Sequence, residues 1–240
     1  MQTTQIAPNL WTVEGPALIF AGAPMNTRMT VVRLRDGSLW VHSPIAWSEG
    51  LEAQLLQWGS EVSVLVAPNK YHYLFVEPWL EHCPQARLYV EPELAKKLRK
   101  KRHGLMQETW SERVEEMSNQ APPSYAQDVD QALFAGNPAF QEMVFFHRDS
   151  RTLILTDLMI NLSLNNVPFL PGLFLRFEGV VAPRGGVPRL MRWFTFDKRT
   201  ARSALEVIRS WQPERVLICH GEQFAEPGMT LVEREFSYLA

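Results

Sequence analysis

Five residues able to hold a proton or a metal ion stand where apolar runs of the chain end. His42 follows "SLWV", His72 follows "VLVAPNKY", His147 closes "MVFF", Asp157 follows "TLILT" and His220 follows "RVLIC". Imidazole nitrogens and carboxylate oxygens are the groups that ligate divalent cations or exchange protons near neutral pH. In α/β folds the loops at the carboxyl ends of strands converge, and the strands beneath hold them rigidly, so ligands collect there. Each residue alone has an ordinary explanation as a structural hydrogen-bonding group; several at matching positions point to a shared site. The run "VLVAPNKYHYLF" is the most unusual of these, because a buried strand passes straight into Asn69, Lys70, Tyr71, His72 and Tyr73.

The elements that must position these residues read as two series. Pro16 to Ala21 and Met29 to Leu34 are short apolar runs, and Asp36-Gly37 is a hairpin turn signal before "SLWVHSP". Ser48 is placed to cap a helix over "EGLEAQLLQWG", with Leu51, Leu55 and Leu56 on one face and Gly59 to stop it. The strand "EVSVLVAP", a helix over "FVEPWLEHCP", the strand "ARLYVEP" and the helix "PELAKKLRKKR" follow. Gly104 to Ala135 is polar, with "APPS" marking a loop. The second series has strands over "QEMVFFHR" and "RTLILTD" joined at Asp149-Ser150, a less regular section from Leu158 to about Phe194, an amphipathic helix "KRTARSALEVIRSWQP" and the strand "ERVLICHGE". No convincing linker separates the series, so a single domain over residues 1–240 is expected.

Composition narrows the partners. With 46% hydrophobic and 21% charged residues and a net charge of −2, nothing global points to nucleic acid or to a membrane. Cys83 and Cys219 form no CxxC pair, which fits a reducing compartment, and a cytoplasmic location is expected. The apolar stretch Leu158 to Phe177 carries Asn161, Asn165, Asn166, Pro168 and Pro171, and reads as a loop and short helix covering a core. The basic run Lys96 to Arg102 reads as a solvated surface, answered by Glu108, Glu112, Glu115 and Glu116. Arg184, Arg189 and Arg192 flank a Gly-Gly that reads as flexible, a candidate clamp for an anionic substrate group, and Trp79, Trp193 and Phe169 are candidates to wall an apolar pocket.

Together, "RVLICHGE", "SRTLILTDLMIN" and "SLWVHSPI" resemble the metallo-β-lactamase-fold superfamily, over nearly the whole chain. The resemblance implies an αββα sandwich of two mixed sheets flanked by helices, with metals at one sheet edge. More narrowly, "LWVHSPI", "LVAPNKYHYLF" and "VFFHRDSRTLILTDL" are similar to an uncharacterised branch, a family of unknown function. By that likeness His220 takes the ligand position of the last His-Gly motif and Asp157 that of the bridging aspartate, while His42 stands where the superfamily has Asp. The departure falls on the HxHxDH motif, whose positions are held here by Asn69, Tyr71, Tyr73 and Leu74, with His72 one residue out of register. The middle histidine is also missing from "FAGNPAF".

A two-metal hydrolase site needs about six protein donors, more than remain. What remains implies a degenerate site for one zinc, manganese or iron ion, held by His72, Asp157 and His220, with His42, His147 and Asn69 as possible additional ligands. Tyr71 and Tyr73 are candidate catalytic donors to a developing oxyanion. The expected function is single-metal hydrolysis of a small ester, lactone, thioester or phosphoester. The alternative is a metal-free pseudoenzyme that binds a small molecule or a protein. The sequence sets no oligomeric state.

Overall fold

The structure is a computed structural model that describes residues 2–20, 22–101, 104–106 and 108–240. Its contacts divide into two compact units that interleave in sequence: residues 1–15 with 28–130, and residues 16–27 with 131–240.

A seven-stranded sheet, its strands in chain order, belongs to the first unit apart from the ends of its second and third strands, which fall within residues 16–27. The strands are β1 (Thr3–Ala7), β2 (Leu10–Phe20), β3 (Ala23–Arg33), β4 (Leu39–His42), then after helix α1 (Glu49–Trp58) β5 (Val62–Ala67), after α2 (Val76–His82) β6 (Arg87–Val90), and after α3 (Pro92–Lys101) and α4 (Glu108–Ser111) β7 (Val114–Glu116). β3 and β4 run antiparallel around the Asp36-Gly37 turn, whereas β4, β5, β6 and β7 are parallel, each crossover carrying helix. Ser48 caps α1 as its position suggested, its hydroxyl accepting from Leu51 N at 3.3 Å, and the Gly59 N–H closes the other end on Leu55 O. Leu51 and Leu55 enter the core, but Leu56 faces out. The β5 residues Val64, Leu65, Val66 and Ala67 are all buried, which is why that strand reads as an unbroken apolar run. In α3, Leu94, Ala95 and Leu98 are buried while Lys96 pairs with Glu93 and Arg99 with Glu116. Arg102 of the same basic run lies outside the described residues.

Two expectations change here. Pro16 to Phe20 and Met29 to Arg33 do lie in two separate strands, but the strands are longer than these apolar runs, eleven residues each, and β3 takes in the polar Asn26, Thr27 and Arg28. Trp79 walls no pocket: it is fully buried, and its indole N–H donates to Ile45 O at 2.7 Å.

The second unit holds the four-stranded sheet β11-β10-β9-β8. It is built from β8 (Val129–Asn137), β9 (Phe140–His147), β10 (Thr152–Ile154), α5 (Phe169–Glu178), α6 (Arg189–Trp193), α7 (Lys198–Trp211), β11 (Arg215–Leu217) and α8 (Gly228–Glu235). β9 and β10 are antiparallel and β10 and β11 parallel. Asp197 caps α7 through Thr200 N, and Ala201, Ala204, Leu205 and Ile208 form its buried stripe. β8 lies partly inside the stretch that read as a polar loop, so the sheet gains a strand that hydropathy did not reveal. The Gly-Gly pair is not flexible either. A β-carbon on Gly185 would stand 2.3 Å from Ile160 O and one on Gly186 would stand 1.8 Å from the Glu235 carboxylate, so close packing demands both glycines. Arg192 of the expected clamp is already paired with Glu235 at 2.6 Å.

Candidate metal centre

In the second unit the structure brings Asp157 and His220 together. Asp157 lies just past β10, and His220 lies just past β11, its parallel neighbour, so both side chains emerge at the same end of the sheet. His220 Nε2 stands 3.1 Å from Asp157 Oδ1, with the imidazole almost wholly buried and the carboxylate slightly exposed. On its other side His220 Nδ1 lies 2.7 Å from the backbone carbonyl of Asn26. A carbonyl oxygen only accepts, so Nδ1 carries the proton in this bond. The Asn26 side chain also accepts from Gly221 N at 2.6 Å, so a single residue fixes both ring and turn. Gly221 has φ +88°, and a β-carbon there would stand 2.0 Å from Asn161 O.

With Nδ1 protonated, a neutral His220 would turn the Nε2 lone pair onto a carboxylate oxygen. That juxtaposition requires a positive centre between them, either a second proton or a cation. Burial, the largest influence, lowers the imidazole's pKa, but the hydrogen bond and charge of Asp157, the Asn26 carbonyl and the charge of Glu142 together raise it above the ordinary histidine value. The donor set fits a metal equally well. Two ligands each ~2.0–2.1 Å from a tetrahedral zinc stand about 3.4 Å apart, close to the separation here. A carbonyl-bound second nitrogen is also the usual setting of a ligating histidine.

Glu142, on β9, is the site residue that sequence reading missed. It is fully buried, and its two oxygens accept from the backbone N–H groups of Thr156 (2.7 Å), Asp157 (2.7 Å) and Leu158 (3.1 Å). These bonds pin the loop that carries Asp157. Burial and the charge of Asp157 push the Glu142 carboxyl up to about 7, against the downward pull of the amides.

The first unit holds the other candidates. Asn69, fully buried, accepts from Tyr71 N (2.9 Å) and His72 N (3.3 Å) through Oδ1, so it folds the loop after β5 in the manner of an Asx turn. His72 Nδ1 meets Ser43 Oγ at 2.5 Å, which leaves Nε2 as the nitrogen suited to ligation. His42 ends β4, is fully buried and stacks on Trp40 with ring centroids 5.6 Å apart. Burial chiefly, and then the charge of His72, drive its pKa down to about 3. Tyr71 is half-exposed with Lys70 Nζ 5.3 Å from its ring centre, and Tyr73 packs against the unit's core beneath Lys97 Nζ at 4.6 Å.

His147 does not join Asp157. Because β9 and β10 are antiparallel, His147 pairs with Thr152 at the start of β10, and its Nδ1 bonds Ser150 Oγ at 2.7 Å. Asp157 lies beyond the other end of β10, roughly 16 Å along an extended chain.

No curated protein matches this sequence. Among solved structures the chain is similar over 99% of its length to the DIM-1 metallo-β-lactamase exposed to ceftazidime, at 14% identity, 95% coverage of that chain and a TM-score of 0.66. It is likewise similar over 99% of its length to a metallo-β-lactamase from Pontibacter korlensis (13% identity, 98% of that chain, TM-score 0.61). FIM-1 from Pseudomonas aeruginosa in its mono-zinc form matches to a similar degree (11% identity, 99% of this chain and 94% of that one, TM-score 0.61). The fold, a mixed α/β arrangement with two mixed sheets, is therefore that of the metallo-β-lactamases, as the motifs implied. The profile of a family described as a domain of unknown function, DUF4336, matches residues 8–173, more than half of the sequence, and the chain belongs to that family.

Proposed function

We propose that this protein is a hydrolase with a reduced metal centre, in which His72, Asp157 and His220 hold one zinc, manganese or iron ion and the substrate is a small ester, lactone, thioester or phosphoester. The observation that carries the reading is the Asp157–His220 pair, with one imidazole nitrogen committed to Asn26 O and the other facing a carboxylate. A bound ion would polarise a carbonyl or phosphoryl oxygen and lower the pKa of a bound water to about 7. The chain's own residues do the rest. Asn26 sets the tautomer that leaves Nε2 as a ligand, Glu142 holds the Asp157 loop, and Ser43 orients the His72 ring. The mono-zinc form of FIM-1 gives a precedent within the fold for a single ion.

Elemental analysis of purified protein tests this. The expected result is one zinc, manganese or iron per chain, lost in Asp157→Ala and His220→Ala variants that keep the native circular dichroism spectrum. Metal-free protein whose melting temperature ignores chelator would refute the reading. The Asp157–His220 contact would then be a proton-bridged ion pair, and the chain a metal-free binding module.

A further inference from the structure

The second unit exposes an apolar face out of proportion to the rest of the chain. Ten of the fourteen exposed large hydrophobic residues among those described fall at positions 19–20 and 169–196. Five lie on α5, where Phe169 and Leu170 are 81% and 73% exposed and Leu173, Phe174 and Phe177 continue the same surface. The stripe on the opposite side, Gly172 and Leu175, is the one that meets the core. A soluble helix normally turns its apolar stripe inward, so α5 is apolar on both sides.

Trp193 contacts this helix directly, and the other exposed residues lie in the segments beside it. Ile19 and Phe20 sit at the β2–β3 hairpin tip, where a β-carbon on Gly22 would lie 3.0 Å from the Pro171 ring of α5. The Phe177 ring meets Trp193 edge-on at 5.7 Å, and Phe194 meets Phe196 at 5.8 Å. The segment that carries this face is also biased in charge. Residues 158–202 contain seven Lys or Arg and two Asp or Glu, in a chain whose net charge is −2. Of the two acids, Glu178 is buried and accepts from Leu190 N, and Asp197 is used to cap α7. Arg176, Arg184 and Arg189 are exposed, and the Arg189 guanidinium lies over the Phe177 ring at 5.1 Å.

We propose that this face docks peripherally on an anionic lipid surface, with α5 and the hairpin tip entering the boundary between headgroups and acyl chains and the arginines meeting lipid phosphate. Side chains this exposed stand out into solvent rather than line a groove, so they need a yielding partner and not a shaped one. Phe, Leu and Trp flanked by Arg are the side chains that partition to that boundary. A second copy of the chain is the poorer fit, because a two-fold contact through this face would set its arginines against their own images. The whole-chain charge, which suggested no membrane, averages this surface away. No described helix is long and apolar enough to cross a bilayer, so the contact is with one leaflet.

Co-sedimentation of the full chain with vesicles separates the possibilities. Binding is expected to vesicles of phosphatidylcholine mixed with phosphatidylglycerol, and to be about tenfold or more weaker to phosphatidylcholine alone. The double variant Phe169→Ser/Leu173→Ser should lose about tenfold or more of the binding with an unchanged melting temperature, and Arg184→Glu/Arg189→Glu should abolish the preference for phosphatidylglycerol. Chelator should change nothing, so failure of the metal reading leaves this result intact. Absence of vesicle binding, binding that survives the apolar variant, or a dimer in solution that the apolar variant breaks without vesicle binding would each overturn the proposal.

Discussion

Acidification should destabilise this protein through one ring, His42. The imidazole is fully buried at the end of β4, stacked on Trp40, and its pKa is lowered from 6.5 to about 3. A depressed histidine pKa means that the unfolded chain binds the proton first, so stability is intact above 6.5 and is lost as pH falls from there toward 3. The loss runs at about 1.4 kcal/mol per pH unit for one proton, which makes it about 2 kcal/mol at roughly pH 5 and close to zero at about pH 7.5. Urea denaturation at those two pH values, on wild type and on His42→Gln, measures it. Other groups titrate in the same range, His220 in the opposite sense because its pKa is raised, so the informative quantity is the difference between the two proteins. His42→Gln should cost stability at both pH values but lose about 2 kcal/mol less than wild type on acidification. Parallel losses, or a native-state His42 ring that titrates near 6.5 by NMR, would refute the argument from burial.

Two further outcomes follow from the second unit. Glu142→Ala leaves three amides of the Asp157 loop without their acceptor and should cost about 3 kcal/mol or more, with faster hydrogen exchange at 156–158. Because the Glu142 pKa is raised from 4.5 to about 7, wild-type stability should also decline as pH climbs across that interval, and the variant should lack this decline. Gly221→Ala and Gly186→Ala each place a methyl group within 2.0 Å of an occupied position, against Asn161 O and the Glu235 carboxylate. Both should lower the melting temperature by several degrees, on the order of 2–3 kcal/mol, whereas Gly50→Ala, with nothing nearby, should not.

The parts of the fold legible in the sequence are those where one local signal decides the structure. Ser48 and Gly59 bracket α1, Asp36-Gly37 turns β3 into β4, and the 3.6-residue stripe of α7 identifies its buried face. The length of β2 and β3 was not legible, because Asn26, Thr27 and Arg28 look like loop residues and are strand residues. Strand ends point to Asp157 and His220, which the structure pairs, and not to Glu142, since a single acid in "QEMVFF" looks like an outward-facing residue. The hairpin register does contain the signal. With His147 opposite Thr152 and Phe145 opposite Ile154, continuing the count places Glu142 opposite Asp157. His147 failed as a ligand candidate for the same reason: antiparallel pairing sends the end of one strand to the beginning of the next. Gly185 and Gly186 read as mobile because composition cannot distinguish a glycine chosen for freedom from one chosen for lack of volume.

The carbonyl that sets the His220 tautomer belongs to Asn26, 194 positions earlier in the chain. The second unit is therefore not divisible from the N-terminal hairpin, although both sheets could be drawn as separate pieces. A fragment starting at residue 129 would contain Asp157, Glu142 and His220 and every strand of their sheet, yet its imidazole would be at liberty to exchange protons between its two nitrogens. The ring nitrogens of His220 thus report on closure of a loop of 194 positions that the site depends on, and their NMR shifts would distinguish a correctly assembled sheet from a completely folded protein.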